Sequence, residues 1–163
     1  MSLPRPLTKE LATEAIQMVL PAFHTAAATG KFKRDSIYIV VMDPRKKPGE
    51  FTFDASILLE YGIGPEAENY KPVARAKARR AWETGLTGQT IQSLAPHLFD
   101  VGDTKWHGDA VYMELVVAAS GIQGHFDELV SWWVLHAIIA LCKDVTQNVL
   151  MTSEESFIRP STE

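Results

Sequence analysis

The sequence has little of the chemistry that marks disulfide-bonded, membrane or nucleic-acid-binding proteins. It contains one cysteine, Cys142, among 163 residues, so neither an intrachain disulfide nor a cysteine zinc cluster can form. No apolar run reaches the roughly 18 residues that suggest a membrane span, and Lys143 and Asp144 close the longest one. The net charge is −4, which gives no electrostatic case for nucleic acid. No basic segment followed by an apolar one opens the chain, so we expect a cytoplasmic protein without a secretory signal.

The length points to one domain. A chain of 163 residues can bury one substantial core, whereas two domains of ordinary size would need more. Residues 1–7 contain two prolines and are predicted to form a loose arm. Residues 152–163 are polar and lack periodicity, which predicts a loose tail. We therefore assign residues 1–163 to a single domain with two loose ends.

An apolar segment dominates the last third of the chain. From residue 125 to residue 144 apolar residues recur at spacings of three and four, which predicts one long helix. Asp127 and Glu128 occupy its first turn and Lys143 its last, as the helix dipole favours. The other sides of this helix are also apolar, so more than one surface should cover it. We therefore predict a homo-oligomer that associates through the 125–144 helix. Cys142 lies inside this segment, which predicts a buried, unreactive thiol.

The remaining patterns predict an alternating series of helices and strands. Thr8 can cap a first helix that Pro21 should kink or split. Pro72 can open a helix that ends before Gly85, and Thr90 can cap a short helix. The predicted strands are 36–42, 50–59, 97–101 and 110–119. The order α-β-β-α-α-β-β-α favours an α+β fold with an antiparallel sheet and helices packed on it.

The helix that begins near Pro72 combines small and basic residues. Three alanines, at positions 74, 78 and 81, share one side, which lets the helix lie close against a sheet. The basic residues are predicted to form a solvated face, with anion binding as the alternative. The basic turn 45–47 is likewise predicted to be solvated. The basic residues of the helix are Arg75, Lys77, Arg79 and Arg80.

The turn from Ser120 to His125 is the best candidate binding site. Gly121 and Gly124 let the backbone expose several N–H groups, and the helix that begins near His125 adds a partial positive charge. Such a turn can hold a carboxylate or phosphate. The alternative is a strand-to-helix turn that needs glycine for its dihedral angles. The helix N-terminus favours a neutral His125 imidazole, whereas the nearby Asp127 favours a charged one.

The five histidines form no recognised metal motif, because neither H-x-x-x-H nor H-E-x-x-H occurs. His107, His125 and Asp127 would form a metal site if the two loops that carry them met at one end of the sheet. His24 and His136 are predicted to be core or helix-surface residues. Neither the G-x-S-x-G motif nor a P-loop is present.

Short motifs also follow one another in the order of a known family. They are Leu7-Thr8 with Glu10 and Ala12, Val40 to Asp43, Ala74 to Arg79, Gly85 with Thr87 to Gln92, Ala119-Ser120-Gly121, and Phe126-Asp127-Glu128. Taken together over residues 7–144, they resemble the GlcG/HbpS-like family, also called the domain of unknown function DUF336. Two segments depart from the family pattern, the long basic turn 44–49 and the segment 103–107.

The resemblance implies a profilin-like fold, with a five-stranded antiparallel sheet flanked by helices, and assembly into oligomers. It also implies that some relatives bind haem, while others lack a settled activity and accompany the breakdown of small molecules. Lys77 matches a lysine that recurs in the family, which implies an ion pair with the carboxylates of the turn or a ligand contact. Together with the turn residues singled out above, this gives Ser120, Gly121, Gly124, His125, Asp127 and Lys77 as the predicted ligand-binding residues, of which only Lys77 comes from the resemblance.

Three hypotheses of function follow. The first is a cytoplasmic, homo-oligomeric protein of this family that binds a small molecule, with haem as the most specific suggestion. The second is an enzyme acting on a small organic acid, with His125 as acid or base and the backbone N–H groups of the turn holding the carboxylate. The third is a structural or regulatory subunit that uses the 125–144 helix as an interface and binds no ligand.

Overall fold

The computed structural model describes residues 6–157, which form an antiparallel sheet between two layers of helices. Short 3₁₀ turns at Ala67–Tyr70 and Pro96–Leu98 and a π-helical turn at Thr146–Leu150 complete the elements. The helices and strands are α1 (Lys9–Ala28), β1 (Ile37–Met42), α2 (Phe53–Ser56), β2 (Ile57–Ile63), α3 (Lys71–Thr84), α4 (Gly88–Leu94), β3 (Asp109–Tyr112), β4 (Leu115–Ser120) and α5 (Gly124–Val145).

The sheet has the strand order β2-β1-β4-β3, and every neighbouring pair is antiparallel. Alternate residues of β1 point to opposite faces. Ile37, Ile39 and Val41 join the core under α1 and α5, whereas Val40 and Met42 join the core under α3. The predicted α+β fold with an antiparallel sheet flanked by helices is therefore confirmed. The described residues contain four strands, and the fifth strand that the resemblance implies is absent from them.

The first helix begins where the sequence predicts and does not split. The Thr8 Oγ1 atom accepts a hydrogen bond from the Leu11 N–H at 3.1 Å, which satisfies one of the free N–H groups of the helix start. α1 then continues through Pro21 to Ala28. Pro21 lies on the exposed side of the helix, so the backbone carbonyl that loses its hydrogen bond faces solvent. Of the two outcomes predicted at Pro21, a kink or a split, the split is wrong.

The ten-residue segment predicted as one strand, 110–119, is a hairpin of β3 and β4. Met113 and Glu114 form its two-residue turn, with φ angles of +48° and +67°. Two-residue turns of this kind require positive φ at both positions and normally use asparagine, aspartate or glycine. Because positions 113 and 114 hold none of these three residue types, the sequence does not indicate the turn.

Other predicted boundaries were displaced. The strand predicted at 50–59 begins only at Ile57, because Thr52 caps the one-turn helix α2 by accepting from the Ala55 N–H at 3.2 Å. The segment predicted as a strand at 97–101 is instead a 3₁₀ turn followed by irregular backbone. The cap of α4 is Thr87 rather than the predicted Thr90. In each case a local hydrogen bond, rather than the apolar pattern, decides the boundary.

The predicted loose ends are only partly covered by the described residues. Residues 1–5 and 158–163 lie outside them. Leu7 packs against the core beside α5, and its carbonyl oxygen accepts a hydrogen bond from Arg45. The Cys142 Sγ atom lies 3.5 Å from the Pro6 carbonyl oxygen. Cys142 is half-buried, and burial raises the pKa of its thiol.

α5 with its extension, Gly124–Asn148, is long and apolar enough to cross a membrane by length and composition alone. The helix packs on α1 and β4, and 28% of its most apolar window is buried inside the structure. Core helices of globular proteins pass the same test, so this property is not diagnostic. Several apolar residues of α5, including Trp132, Trp133 and Ile139, are only partly covered by the described chain.

We expect the substitution Met113→Asn to raise the free energy of unfolding by about 0.5–1 kcal/mol, because asparagine tolerates positive φ at little cost. Met113 is 78% exposed, so the change removes little packing. Urea denaturation of the wild type and variant measures the difference. Met113→Ala is the matched control, since alanine removes the same side chain without tolerating positive φ. Equal effects of the two substitutions would contradict this account of the turn.

Candidate functional site

A buried ion pair lies at the end of the sheet where β4 leads into α5. The Lys77 Nζ atom donates hydrogen bonds to the Asp127 Oδ2 atom at 3.0 Å and to the Ala119 carbonyl oxygen at 2.8 Å. The side chain of Lys77 is 0% exposed and that of Asp127 is 4% exposed. Lys77 is buried because it lies on the side of α3 that carries Ala74, Ala78 and Ala81. The predicted solvated face of this helix is therefore wrong at Lys77.

The same carboxylate fills the glycine-containing turn. The Asp127 Oδ1 atom accepts a hydrogen bond from the Ile122 N–H at 3.0 Å. Gly121 presses against β1, since a Cβ atom there would lie 2.3 Å from the Ser36 carbonyl oxygen. The sequence predicts that this turn could hold a carboxylate, and the carboxylate that it holds in the structure belongs to its own helix.

Burial dominates the protonation of both partners. It raises the pKa of Asp127 to about 6, although the Lys77 charge and the Ile122 N–H group oppose the shift. Burial also lowers the pKa of Lys77, and the Asp127 charge opposes this shift. Each charge therefore depends on the other to remain ionised in a site with little access to water.

Gly108 closes over this ion pair. A Cβ atom at Gly108 would lie 2.6 Å from the Asp127 Cβ atom and 2.7 Å from the Lys77 Nζ atom, and its φ is +146°. Its carbonyl oxygen accepts hydrogen bonds from the Ser131 hydroxyl at 2.8 Å and from the Ala119 N–H at 3.1 Å. Because Gly108 is held on three sides, the position of the preceding residue, His107, is fixed as well.

His107 lies between this loop and the start of α5. Its Nδ1 atom is buried and lies 3.4 Å from the Glu128 Oε2 atom. This nitrogen makes no hydrogen bond. The ring edge with Nε2 and Cε1 faces Gly124, where a Cβ atom would lie 3.5 Å from both atoms. The side chains of His107 and Glu128 are 28% and 22% exposed. A carboxylate thus faces one ring nitrogen and leaves the other available.

A second buried charged residue supports the loop that carries His107. The Arg80 guanidinium donates to the carbonyl oxygens of Thr104 at 2.5 Å and Trp106 at 3.1 Å. Both Asp109 carboxylate oxygens accept from the Gly88 N–H at 3.0 and 3.1 Å. Burial raises the pKa of Asp109, opposed by the Gly88 N–H and by Arg80. Arg80, predicted to be solvated, is 1% exposed.

The site residues that the sequence predicts separate into buried and surface groups. Ser120, Gly121, Asp127 and Lys77 are buried, whereas Gly124 is half-buried and His125 is exposed. The His125 ring packs on Phe126 at a centroid distance of 4.4 Å.

The loops that carry His107 and the turn do meet. Nevertheless, no group of three histidine, cysteine, aspartate or glutamate residues within 6–157 is arranged to hold a metal ion.

Sequence reasoning missed Arg80, Glu128 and Ser131 as parts of this corner. Arg80 follows Lys77 by three positions, so both lie on the sheet side of α3. That spacing was a visible signal for Arg80. The contacts of Glu128 with His107 and of Ser131 with Gly108 join residues that are 21 and 23 positions apart in the sequence, and no local pattern announces them.

Two clefts flank α3 away from this corner. One of about 300 Å³ is lined by Phe53, Arg75, Arg79, Val101 and other residues. The second, of about 370 Å³, is lined by residues that include Lys46, Lys47, Trp82 and Val111. The basic turn 45–47 therefore forms part of a cleft wall. Neither cleft includes His107 or His125.

No model of a known protein family matches the chain, and no curated protein matches its sequence.

We expect Lys77→Met to lower the free energy of unfolding by about 3–5 kcal/mol, because it leaves the buried Asp127 carboxylate without a cation. The double variant Lys77→Met/Asp127→Leu should recover part of this loss. It should remain below wild type by about 1–3 kcal/mol, because the Ile122 N–H loses its acceptor. Urea denaturation of the four proteins in the cycle measures the coupling. Simple additivity of the two substitutions would exclude a stabilising pair.

The raised pKa of Asp127 also predicts how stability depends on pH. Between about pH 4 and pH 6 the folded state binds the Asp127 proton more tightly than the unfolded state does. This group therefore stabilises the fold most at low pH, and its contribution is lost as pH rises through 6. We expect the stability difference between wild type and Asp127→Asn to fall by up to about 1.4 kcal/mol per pH unit in this window. A difference that is constant with pH would contradict the shifted pKa.

Proposed function

We propose that the chain is a small-molecule-binding protein of the GlcG/HbpS-like family, with the profilin-like fold that the resemblance implies. We further propose that it acts in the cytoplasm as a homo-oligomer associated through α5. The antiparallel sheet between helices supports the family and fold proposal. The uncovered apolar surface of α5 supports the oligomer.

One observation carries the ligand proposal. The His107 Nδ1 atom lies 3.4 Å from the Glu128 carboxylate without a hydrogen bond between them, and Nε2 lies beside the first residue of α5. In protein metal centres, a carboxylate at one imidazole nitrogen commonly orients the ring so that the other nitrogen binds the metal. The loop that carries this histidine is itself fixed by Gly108, Lys77 and Arg80.

Haem is the most specific ligand suggestion, and three side chains of this loop support it. Haem supplies an iron atom that takes an imidazole nitrogen as an axial ligand. His107 would hold that iron through Nε2. The neighbouring Trp106 is 56% exposed and offers an aromatic surface to a planar ring. The Lys105 ammonium lies 4.8 Å from the centre of that indole ring, where it could pair with a carboxylate on the ligand.

An enzyme acting on a small organic acid is the second candidate function. The short distance between His107 and Glu128 favours it, because a carboxylate near Nδ1 can orient the ring while Nε2 accepts or donates a proton. This contact favours His107 in the role that the sequence suggests for His125. The Ile122 N–H, one of the groups predicted to hold the substrate carboxylate, is already bonded to Asp127.

We expect purified protein to bind about one equivalent of haem per chain and to develop a Soret band. Absorption titration and native mass spectrometry measure binding and subunit number on the same sample. His107→Ala should weaken binding by at least about tenfold, and Glu128→Gln by about tenfold or more, because outer-sphere partners commonly change metal affinity by 10–100-fold.

His125→Ala is the matched control, since this exposed histidine lies in the first turn of the same helix and its ring packs on Phe126. It should bind haem nearly as wild type does. A wild-type protein that stays colourless and gains no mass would exclude haem and leave the small-acid enzyme or a ligand-free structural subunit. Equal losses in the two histidine variants would contradict the assignment to His107.

A further inference from the structure

α5 presents a second feature, a row of residues on the side that faces away from the sheet. Four of them, Leu129, His136, Ala140 and Lys143, are exposed, and Trp132 is half-buried. They are spaced by three and four and therefore lie on one side of the helix. We call this row the outer stripe. The opposite side of α5 is fully buried and is formed by Val130, Val134, Leu135 and Ile138.

The outer stripe is symmetric about His136. Trp132 and Ala140 stand four residues before and after it, and Leu129 and Lys143 stand seven residues before and after it. If a second copy of α5 lies antiparallel across a two-fold axis at His136, each residue meets its counterpart in the partner helix. Trp132 then faces the partner's Ala140, and Leu129 faces the partner's Lys143. An interface of this kind uses the same patch on both subunits.

The opposed residues match in size. A large indole ring opposite an alanine methyl fills the space between two helices without a clash, and the small residue lets the helices approach closely. Two such Trp–Ala contacts, one on each side of the axis, would cover most of the stripe. The Trp132 ring is already stacked on the His136 ring of its own chain, with centroids 5.7 Å apart and planes inclined at 27°.

The charges match as well. Lys143 is exposed and lies in the last turn of α5, whereas Glu128 lies in the first turn with its side chain 22% exposed. An antiparallel pair brings the last turn of one helix to the first turn of the other. The Lys143 methylene groups would cover the partner's Leu129, and the ammonium would reach the partner's Glu128. A parallel pair would instead place like charges together.

We propose that the protein dimerises through the outer stripe, with two α5 helices antiparallel about a two-fold axis at His136. The occupant of this face is thus a second copy of the chain. This inference rests on the proposed homo-oligomer and names its contact residues, and it shares the side chain of Glu128 with the ligand proposal. A dimer of this kind also places two His107–Glu128 corners at opposite ends of the helix pair.

Cysteine crosslinking tests the axis directly. In a Cys142→Ser background, His136→Cys places two thiols on the axis, where the helix separation suits a disulfide. Mild oxidation should convert most of this variant to a covalent dimer. Lys143→Cys is the matched control on the same stripe. Its two copies would lie about 20 Å apart, because each is seven residues from the axis at 1.5 Å per residue, so it should not crosslink.

A size exchange tests the contacts. Ala140→Trp should weaken the dimer by at least about tenfold in light scattering or sedimentation, because it opposes two indole rings. The exchange Trp132→Ala/Ala140→Trp should restore association, since it keeps one large and one small residue at each contact. Circular dichroism and thermal unfolding of each variant separate loss of pairing from loss of fold.

The outcomes separate this inference from the proposed function. An oligomer in which His136→Cys fails to crosslink, or in which Lys143→Cys crosslinks equally, overturns the arrangement and leaves the proposed oligomer standing. A monomer overturns both, and one that sediments with phosphatidylcholine vesicles would assign the stripe to a membrane surface. Haem titration of the same samples judges the ligand proposal independently of either result.

Discussion

The ion pair between Lys77 and Asp127 is the contact on which the geometry of the candidate site depends. Lys77 belongs to the helix on one face of the sheet, and Asp127 belongs to the helix on the other. Two buried charges are costly to remove from water, so they persist only where hydrogen bonds satisfy them closely. Here those bonds come from the end of β4 and from the turn after it. The ion pair therefore joins both helix layers to the end of the sheet, and Gly108 packs against its two fixed side chains.

This arrangement changes which part of the corner can meet a ligand. The sequence points to the turn Gly121–Gly124, because glycines and a helix start suit an anion. In the folded chain, Asp127 occupies that role. What reaches the surface is the loop before β3, with His107 turned towards Glu128. The turn and its buried carboxylate thus act as support, and the chemistry available to a small molecule lies one layer further out.

How much of the fold could be predicted depended on whether the deciding interaction was local. Local signals predicted α1, α3 and α5. Each helix shows its own apolar spacing, Thr8 caps α1, and Gly85 follows the end of α3. The hairpin of β3 and β4 was hidden, because its turn is built from Met113 and Glu114 rather than from typical turn residues. Burial of Lys77 could not be seen from helical spacing alone, although spacing does place Arg80 on the same side of α3 as Lys77. Helical spacing alone assigns Lys77 to a polar face. Only the resemblance implied its ion pair with the carboxylates of the turn, and Asp127 supplies that partner 50 residues later.

That separation has a consequence for the way the chain folds. The chain up to the end of α4 contains Lys77 but not Asp127. Packing the alanine side of α3 onto the sheet at that stage would bury the Lys77 ammonium without a counter-charge, which is costly. Full packing of α3 on one face of the sheet therefore requires α5 to be packed on the other face. The ion pair couples the packing of the two helix layers, and this coupling favours cooperative, two-state folding over stepwise folding from the N-terminus. A fragment lacking α5 would lose more stability than the apolar area buried by this helix supplies, because the packing of α3 would also be lost.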